Sequence, residues 1–293
     1  MIPKVSVVIP TYGRLDSLRR AIESVDTQTY DNIEIIVVDD DPDRTLPDFE
    51  TDSPIRIIEH TENRGAPVAR NTGITNSTGT YVALLDDDDE WLPQKLDRQV
   101  DKLRSLPDSY AMVYSGAEFI RTHSTTTRKP SFEGDILDGL LYSNFIPSAT
   151  PLIRRRCLDR VGLFDPQLRS KQDHDLWVRI AEKYRIGVLP TVLATIHQDH
   201  EDRISTDSLR LYQGMKKFLK KHNKKMNSRT LAVNIHKLGV YSLPTQISDD
   251  PQKYFIKSLR HYPLNIPAVL YLIALQFPPI IKKHILQIRN SCL

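Results

Sequence analysis

The stretch Thr80-Tyr81-Val82-Ala83-Leu84-Leu85-Asp86-Asp87-Asp88-Asp89-Glu90-Trp91 is apolar up to Leu85 and then ends in four consecutive aspartates. Such a run reads as a buried strand that delivers negative charge to the edge of a sheet. Adjacent carboxylates repel at a cost on the order of several kcal/mol unless a cation or hydrogen-bond donors offset it. Three readings compete. An acidic helix start is one, with Trp91-Leu92-Pro93 and Leu96 opening the helix, although one or two carboxylates suffice for a cap. A calcium loop fits poorly, because the alternating acids, central glycine and closing glutamate are missing. A magnesium or manganese site shared with a phosphate fits best, since these ions take oxygen ligands and accept one or two carboxylates from the protein.

Around this stretch, short β-branched runs alternate with helical patterns. Val5 to Ile9, Ile33 to Val38, Ile55 to Ile58, Tyr81 to Leu85 and Ala111 to Tyr114 are expected strands. Between the first two, Leu15, Leu18, Ile22 and Val25 recur at helical spacing, with Arg14, Arg19, Arg20 and Glu23 around the rest of the turn. Strand, helix, strand in this order predicts a mainly parallel α/β sheet with right-handed crossovers. Ligands gather beyond the carboxyl ends of such strands. The polar residues fall there: Thr11 and Tyr12 after the first strand, Asp39 to Asp41 after the second, Asp86 to Asp89 after a later one. Taken alone, Asp39 to Asp41 also reads as a turn, given the Asp41-Pro42-Asp43 that overlaps it.

Glu62 to Gly73 has the chemistry of a loop feeding a helix that runs toward Gly79, and Arg70 within it either faces phosphates or caps local structure. From residue 131 onward the pattern is a short helix (Gly134 to Tyr142), a strand (Asn144 to Ile153), a helix and a loop. Lys171 to Ala181 then opens an apolar helix with carboxylates; Asp173 is either its N-cap or a general base brought to the sheet rim.

The 293 residues suffice for a large core, and 40% hydrophobic with 26% charged residues is the composition of a folded globular protein. A formal charge of +3 gives no argument for nucleic acid as a partner. Cys157 and Cys292 share no metal or redox spacing, so reduced thiols in a cytoplasmic compartment are expected. The apolar start, Met1 to Pro10, is too short for a signal peptide and reads as the first strand.

Val5 to Tyr12, Glu34 to Asp40, Asn63-Arg64-Gly65 with Ala69-Arg70-Asn71, Leu85 to Trp91 and Asp173 to Arg179 form an ordered set of motifs. The set resembles the family 2 glycosyltransferases of the GT-A fold, from about residue 3 to about residue 200. The resemblance implies a Rossmann-like, mainly parallel sheet flanked by helices over residues 1–204, and an inverting transfer of a sugar from a nucleotide-sugar, usually a UDP-sugar, to an acceptor hydroxyl. It implies that Pro10, Thr11 and Tyr12 line the nucleotide pocket with Arg70 and that Asp40 bonds the base. Asp86, Asp87 and Asp88 form the Asp-x-Asp motif, with Asp88 the direct ligand of Mn2+ or Mg2+ and Asp86 and Asp87 toward the ribose and the metal's outer shell. Asp173 takes the place of the catalytic carboxylate. Gln172 stands where the family usually has glutamate, and Asp175 is a fallback base. His197 and Arg203 fall where similar enzymes place a late His or Arg near the diphosphate, His197 as a further metal ligand, or else on a surface loop.

The remaining residues, 205–293, read as a mostly helical extension. Lys216 to Arg229 is densely basic, either a solvated helical face or an anchor for an anionic membrane surface. Tyr262 to Ile281 is uncharged over about a transmembrane length but carries four prolines. Its centre, Ala268 to Phe277, reads as an interfacial helix or as one packed on the catalytic domain. The membrane alternative places the protein on the inner face of the cell membrane, with a lipid-linked sugar or a growing glycan as acceptor. Two rival functions remain. A sugar nucleotidyltransferase would show a glycine-rich loop where Pro10 to Arg14 has one glycine. A binding-only relative would hold nucleotide-sugar without transferring it.

Overall fold

The computed structural model describes residues 2–198, 207–244 and 250–276. The chain divides into two compact units, Met1–Leu140 with Asn144–Glu201, and Leu141–Ser143 with Asp202–Leu293.

The first unit is organised by a sheet of nine strands. Its first half is parallel throughout, with β1 (Val5–Thr11) between β2 (Ile33–Asp39) and β4 (Tyr81–Leu84), and β3 (Ile55–Glu59) outside β2. Every residue of β1 is buried, as a strand covered on both faces requires. Alternation along these strands sorts the two faces. Val5, Val7, Ile9, Ile35 and Val37 join Leu18, Ala21, Ile22 and Val25 of α1 (Leu15–Asp26) in the main core. Ile36 and Val38 turn the other way and meet Ala69 of α2 (Ala66–Asn76). The register places Thr11 beside Asp39 and Val8 beside Leu84, so the three strands end at one rim.

The second half is mixed. β8 (Pro151–Arg154) lies antiparallel between β4 and β6 (Tyr110–Arg121), and β6 pairs in parallel with β9 (Arg185–His197). β7 (Ser124–Arg128) forms a hairpin with β6 and is exposed along its length. β5 (Asp89–Trp91) pairs antiparallel with β9, Asp89 opposite Ile196 and Trp91 opposite Ala194. The helix-start reading of the acidic run is therefore corrected: the chain past the acids is a strand, and α3 begins only at Lys95 and runs to Ser105. The strand expected over Asn144 to Ile153 shortens to Pro151–Arg154, preceded by a loop from Asn144 to Thr150 that crosses the same rim. A short helix, α4 (Leu137–Tyr142), precedes that loop, and α5 (Arg155–Val161) and α6 (Gln172–Ala181) follow β8.

The second unit is helical. α7 (Ser208–His222), α8 (Ser228–Ser242) and α9 (Pro251–His261) are capped by Asp207, Asn227 and Asp250, whose side chains accept backbone N–H bonds of the first turn. α10 (Ile266–Leu275) packs Ala268 and Tyr271 around Phe255 of α9. No helix among the described residues is long and apolar enough to cross a membrane. Residues 277–281 of the uncharged stretch, Arg203 and Cys292 lie outside the described residues, whereas Cys157 is buried.

α2 approaches the sheet through Gly73. A Cβ there would fall far inside contact distance of Val8 Cγ1 and 3.3 Å from Val38 Cγ2, both valines being fully buried. Gly73→Ala is expected to destabilise the protein by about 1–3 kcal/mol despite alanine's better helix propensity, because overpacking against two strands outweighs that gain. The urea midpoint of the variant against wild type checks this.

Candidate active site

At the rim the acids following β4 are held by donors from four different segments. Thr11 Oγ, at the end of β1, donates to Asp87 Oδ2 at 2.7 Å, and the Tyr12 backbone N–H lies 3.4 Å from the same oxygen. Arg14, at the β1–α1 turn, places one guanidinium nitrogen 3.1 Å from Asp87 Oδ1 and 2.9 Å from Asp88 Oδ2. Arg70, on α2, donates to Asp86 Oδ1, and Ser148 Oγ donates to Asp86 Oδ2 at 2.8 Å. The second Nη of Arg70 reaches Gln172 Oε1 at 3.0 Å, so one buried guanidinium ties the end of β4 to the start of α6.

Electrostatics differ between neighbours. Burial pushes the Asp87 carboxyl up to about 6 against the bonds from Thr11 and Arg14, with Asp88 and Asp86 adding to the rise. Burial acts in the same sense on Asp86, but there the Arg70 charge and hydrogen bond overcome it and hold the carboxyl below its usual range. Arg70 is itself pushed up against the effect of its own burial, chiefly by Asp86.

Asp173 sits in the first turn of α6, where Asn144 Nδ2 donates to its Oδ2 at 2.8 Å. It is not the cap: that position is Lys171, whose φ of 61° is the one left-handed non-glycine backbone among the described residues. A lysine in that region costs on the order of 1 kcal/mol and is the kind of strain found where a functional segment is held in place. Asp175, the fallback base, is fully buried in an ion pair with Arg179 Nε at 2.9 Å, and Arg179 also bonds the carbonyls of Val161, Gly162 and Leu163. That carboxylate is structural.

Pro10 is buried and Tyr12 is 54% exposed, so the tyrosine ring stands open at the rim. Asp40 is more engaged than a base-binding role alone requires. Its Oδ1 meets His60 Nδ1 at 2.7 Å and accepts from the Arg64 N–H, and its Oδ2 accepts from the Gly65 N–H at 2.7 Å, which fixes the loop into α2. One lone pair on Oδ2 remains. Asp39, fully buried, has an Oδ2 with no hydrogen-bond partner, and burial raises its carboxyl.

His197 ends β9 rather than lying on a loop; its Nε2 is 2.9 Å from Glu90 Oε1 and its backbone N–H donates to Asp89 Oδ1 at 3.2 Å. No three His, Cys, Asp or Glu side chains converge as a metal cage among the described residues. The donor set, carboxylate oxygen at Asp88 with Asp86 nearby in the chain, nevertheless fits Mg2+ or Mn2+, which complete their shells with water and substrate phosphate. Arg14 already shows that a cation is accommodated between Asp87 and Asp88.

The sequence reading missed Arg14, Asn144 and Ser148. Arg14 was assigned to the polar face of α1, yet the helix begins one residue later and leaves it on the turn above the rim. Asn144 and Ser148 were assigned to a strand; Pro147 and Pro151 within that segment were the signal for a loop.

The Asp87 setting has a consequence for stability. A carboxyl raised in the fold is ionised at a cost above its folded value and cost-free below its unfolded one. Moving it from 3.8 to about 6 corresponds to at most about 3 kcal/mol at pH 7. Asp87→Asn is expected to be more stable than wild type at pH 7, with the difference shrinking as pH falls through 6 toward 4. Urea unfolding of both proteins across that range measures it.

Residues 6–161 match the family model described as glycosyl transferase family 2. An uncharacterized glycosyltransferase of Rickettsia prowazekii is 34% identical over 209 residues, covering 68% of this chain and 62% of the relative. One from Rickettsia typhi is 33% identical over 233 residues, covering 76% of this chain and 73% of the relative. The putative teichuronic acid biosynthesis glycosyltransferase TuaG of Bacillus subtilis is 31% identical over 188 residues, covering 62% and 73%. Among solved structures, S. aureus TarS 1–349 in complex with UDP-GlcNAc superposes with a TM-score of 0.63 at 16% identity, over 92% of this chain and 83% of that one. The mannosyltransferase PcManGT of Pyrobaculum calidifontis, in complex with GDP-Man and Mn2+, gives 0.54 at 17% identity, over 99% and 88%. These likenesses show a GT-A architecture, and with the family model they establish that the chain belongs to glycosyl transferase family 2.

Proposed function

We propose that this glycosyltransferase moves a sugar, with inversion at the anomeric carbon, from a nucleoside-diphosphate sugar to a hydroxyl of a glycan or lipid-linked acceptor. The observation that carries the reading is the Asp86–Arg70–Gln172 bridge, which ties the carboxylates of the strand rim to the helix turn bearing Asp173. A UDP-sugar is the favoured donor. TarS was solved with UDP-GlcNAc and TuaG is assigned to teichuronic acid synthesis, which supports a place in cell-surface polysaccharide assembly. PcManGT with GDP-Man makes GDP the necessary control.

Pro10, Thr11 and Tyr12 line the nucleotide, with Tyr12 free to pack against it, and Asp40 offers the remaining lone pair of Oδ2 to a base N–H. Asp88 would hold Mn2+ or Mg2+, with Asp86 and Asp87 toward the ribose and the outer shell. When bound, the ion neutralises charge on the departing nucleoside diphosphate. Arg70 contributes a permanent positive charge beneath the same rim.

Asp173 is the general base that takes the proton of the acceptor hydroxyl as it attacks. Asn144 donates to Oδ2 and leaves Oδ1 for that proton. The neighbouring Gln172 is neutral and accepts from Arg70, so Asp173 is the only carboxylate in the pair that opens the helix. Substituting Asp173 by Asn is expected to cut turnover by about 10²–10⁴-fold and leave UDP binding intact. Calorimetry with UDP, with and without Mn2+, and with GDP reads the binding half. Loss of UDP binding in the variant, or undiminished turnover, would sink the base assignment. Metal-dependent UDP binding by a wild-type protein that transfers no sugar to any acceptor would favour the binding-only relative.

The proposal includes a peripheral position on the inner face of the membrane, and the second unit supports it. Ile266, Val269, Leu270 and Ile273 are exposed at helical spacing along α10, with Leu264 72% exposed just before it. Lys216, Lys217, Lys220, Lys221, Lys224 and Lys225 are all exposed on α7 and the turn after it. An exposed apolar stripe on one helix and exposed basic side chains on another supply the two attractions, apolar burial and charge, that hold a protein on anionic lipid. Wild-type protein is expected to co-sediment with phosphatidylglycerol vesicles and to lose most of that binding when Leu270 and Ile273 are both replaced by Asp. Equal partition of the two proteins would refute the surface role.

A further inference from the structure

The two arginines at the rim are placed differently. Arg70 is buried, bridges Asp86 to Gln172 and has the Phe164 ring 5.6 Å from its guanidinium carbon. It is fixed by partners on three elements. Arg14 has a side chain 30% exposed and stands immediately after Gly13, whose φ of 74° is a turn conformation that glycine adopts without strain. The Arg14 side chain bonds Asp87 and Asp88. A guanidinium stays charged at any pH the protein survives. A second cation entering at Asp88 must therefore meet its repulsion or displace it.

We propose that Arg14 is an internal counter-cation which competes with the divalent ion for Asp88 and is released to the donor's diphosphate when metal and nucleotide bind together. This rests on the donor-site reading above. Arg14 offsets the carboxylates while no donor is present, which lowers affinity for the metal alone. Once displaced, the same charge has only one new anion within the site to pair with, the diphosphate. Metal and nucleotide then each favour the other's binding, and by linkage the factor is the same in both directions. Arg14 is on this account a positioning residue for donor loading.

Mn2+ binding followed by the electron paramagnetic resonance of the free ion, with and without UDP, separates the possibilities for wild type, Arg14→Ala and Arg14→Lys. In Arg14→Ala, Mn2+ alone is expected to bind about tenfold tighter, and the factor by which UDP tightens Mn2+ is expected to fall by about the same amount. Arg14→Lys keeps the charge and should retain weak donor-free metal binding, and it also serves if the alanine variant folds poorly. Unchanged or weaker Mn2+ binding in a folded Arg14→Ala, while the wild type shows metal-dependent UDP binding, overturns this inference alone. Absence of both Mn2+ and UDP binding in the wild type overturns the donor-site reading together with it.

Discussion

Everything at this rim follows from the need to offset four consecutive aspartates at the end of a buried strand. β4 lies beside β1 in the parallel half of the sheet, so its carboxyl end cannot be moved away from the site without breaking two pairings. The compensation has to come to the acids. It comes from the end of β1 through Thr11, from the β1–α1 turn through Arg14, from α2 through Arg70 and from the loop before β8 through Ser148. Asp89, the fourth acid, turns into β5 and accepts the backbone N–H of His197 at 3.2 Å. Segments distant in sequence thereby meet at one place, where their donors offset the charge at the end of a buried strand.

The compensation is uneven, and the unevenness is useful. Asp86 has a full counter-charge and stays ionised, whereas Asp87 is raised by burial despite its donors. A site proposed to take a nucleoside diphosphate with a divalent ion gains from carboxylates held ready at some cost to the fold. The strained backbone at Lys171, next to the helix turn that carries Asp173, is a second cost of the same kind.

The parallel half of the fold was legible because β-branched runs and helical spacing report burial directly. The runs Val5 to Ile9 and Ile33 to Val38 lie within β1 and β2, and the stripe of Leu18, Ile22 and Val25 is the core face of α1, as local pattern places them. Three elements were not legible. β5 is a strand only because it pairs with β9 about a hundred residues later, and nothing local in Asp89-Glu90-Trp91 encodes that. β7 is a polar, threonine-rich edge with no buried face to mark it. β9, thirteen residues long, pairs with β6 through three register shifts that interrupt the alternation. The acids of the site were visible as types, as were Thr11 and Arg70 beside them, but Arg14, Asn144 and Ser148 were not, since they reach the rim through turns whose direction depends on tertiary contacts.

The choice of arginine at positions 14 and 70 is itself informative. Lysine offers a compact charge whose pKa falls when it is buried without a carboxylate, as fully buried Lys95 illustrates. A guanidinium keeps its charge and presents several donors in one plane, so it can hold two groups on separate segments at once. Arg70 uses this to lock Asp86 against Gln172, giving the site a rigid half at the junction of β4, α2 and α6. Arg14 uses it to span two adjacent aspartates from a turn that is partly open to solvent. The carboxylates are thus divided between Asp86, whose counter-charge is the buried Arg70, and Asp87 and Asp88, whose counter-charge comes from a side chain partly open to solvent.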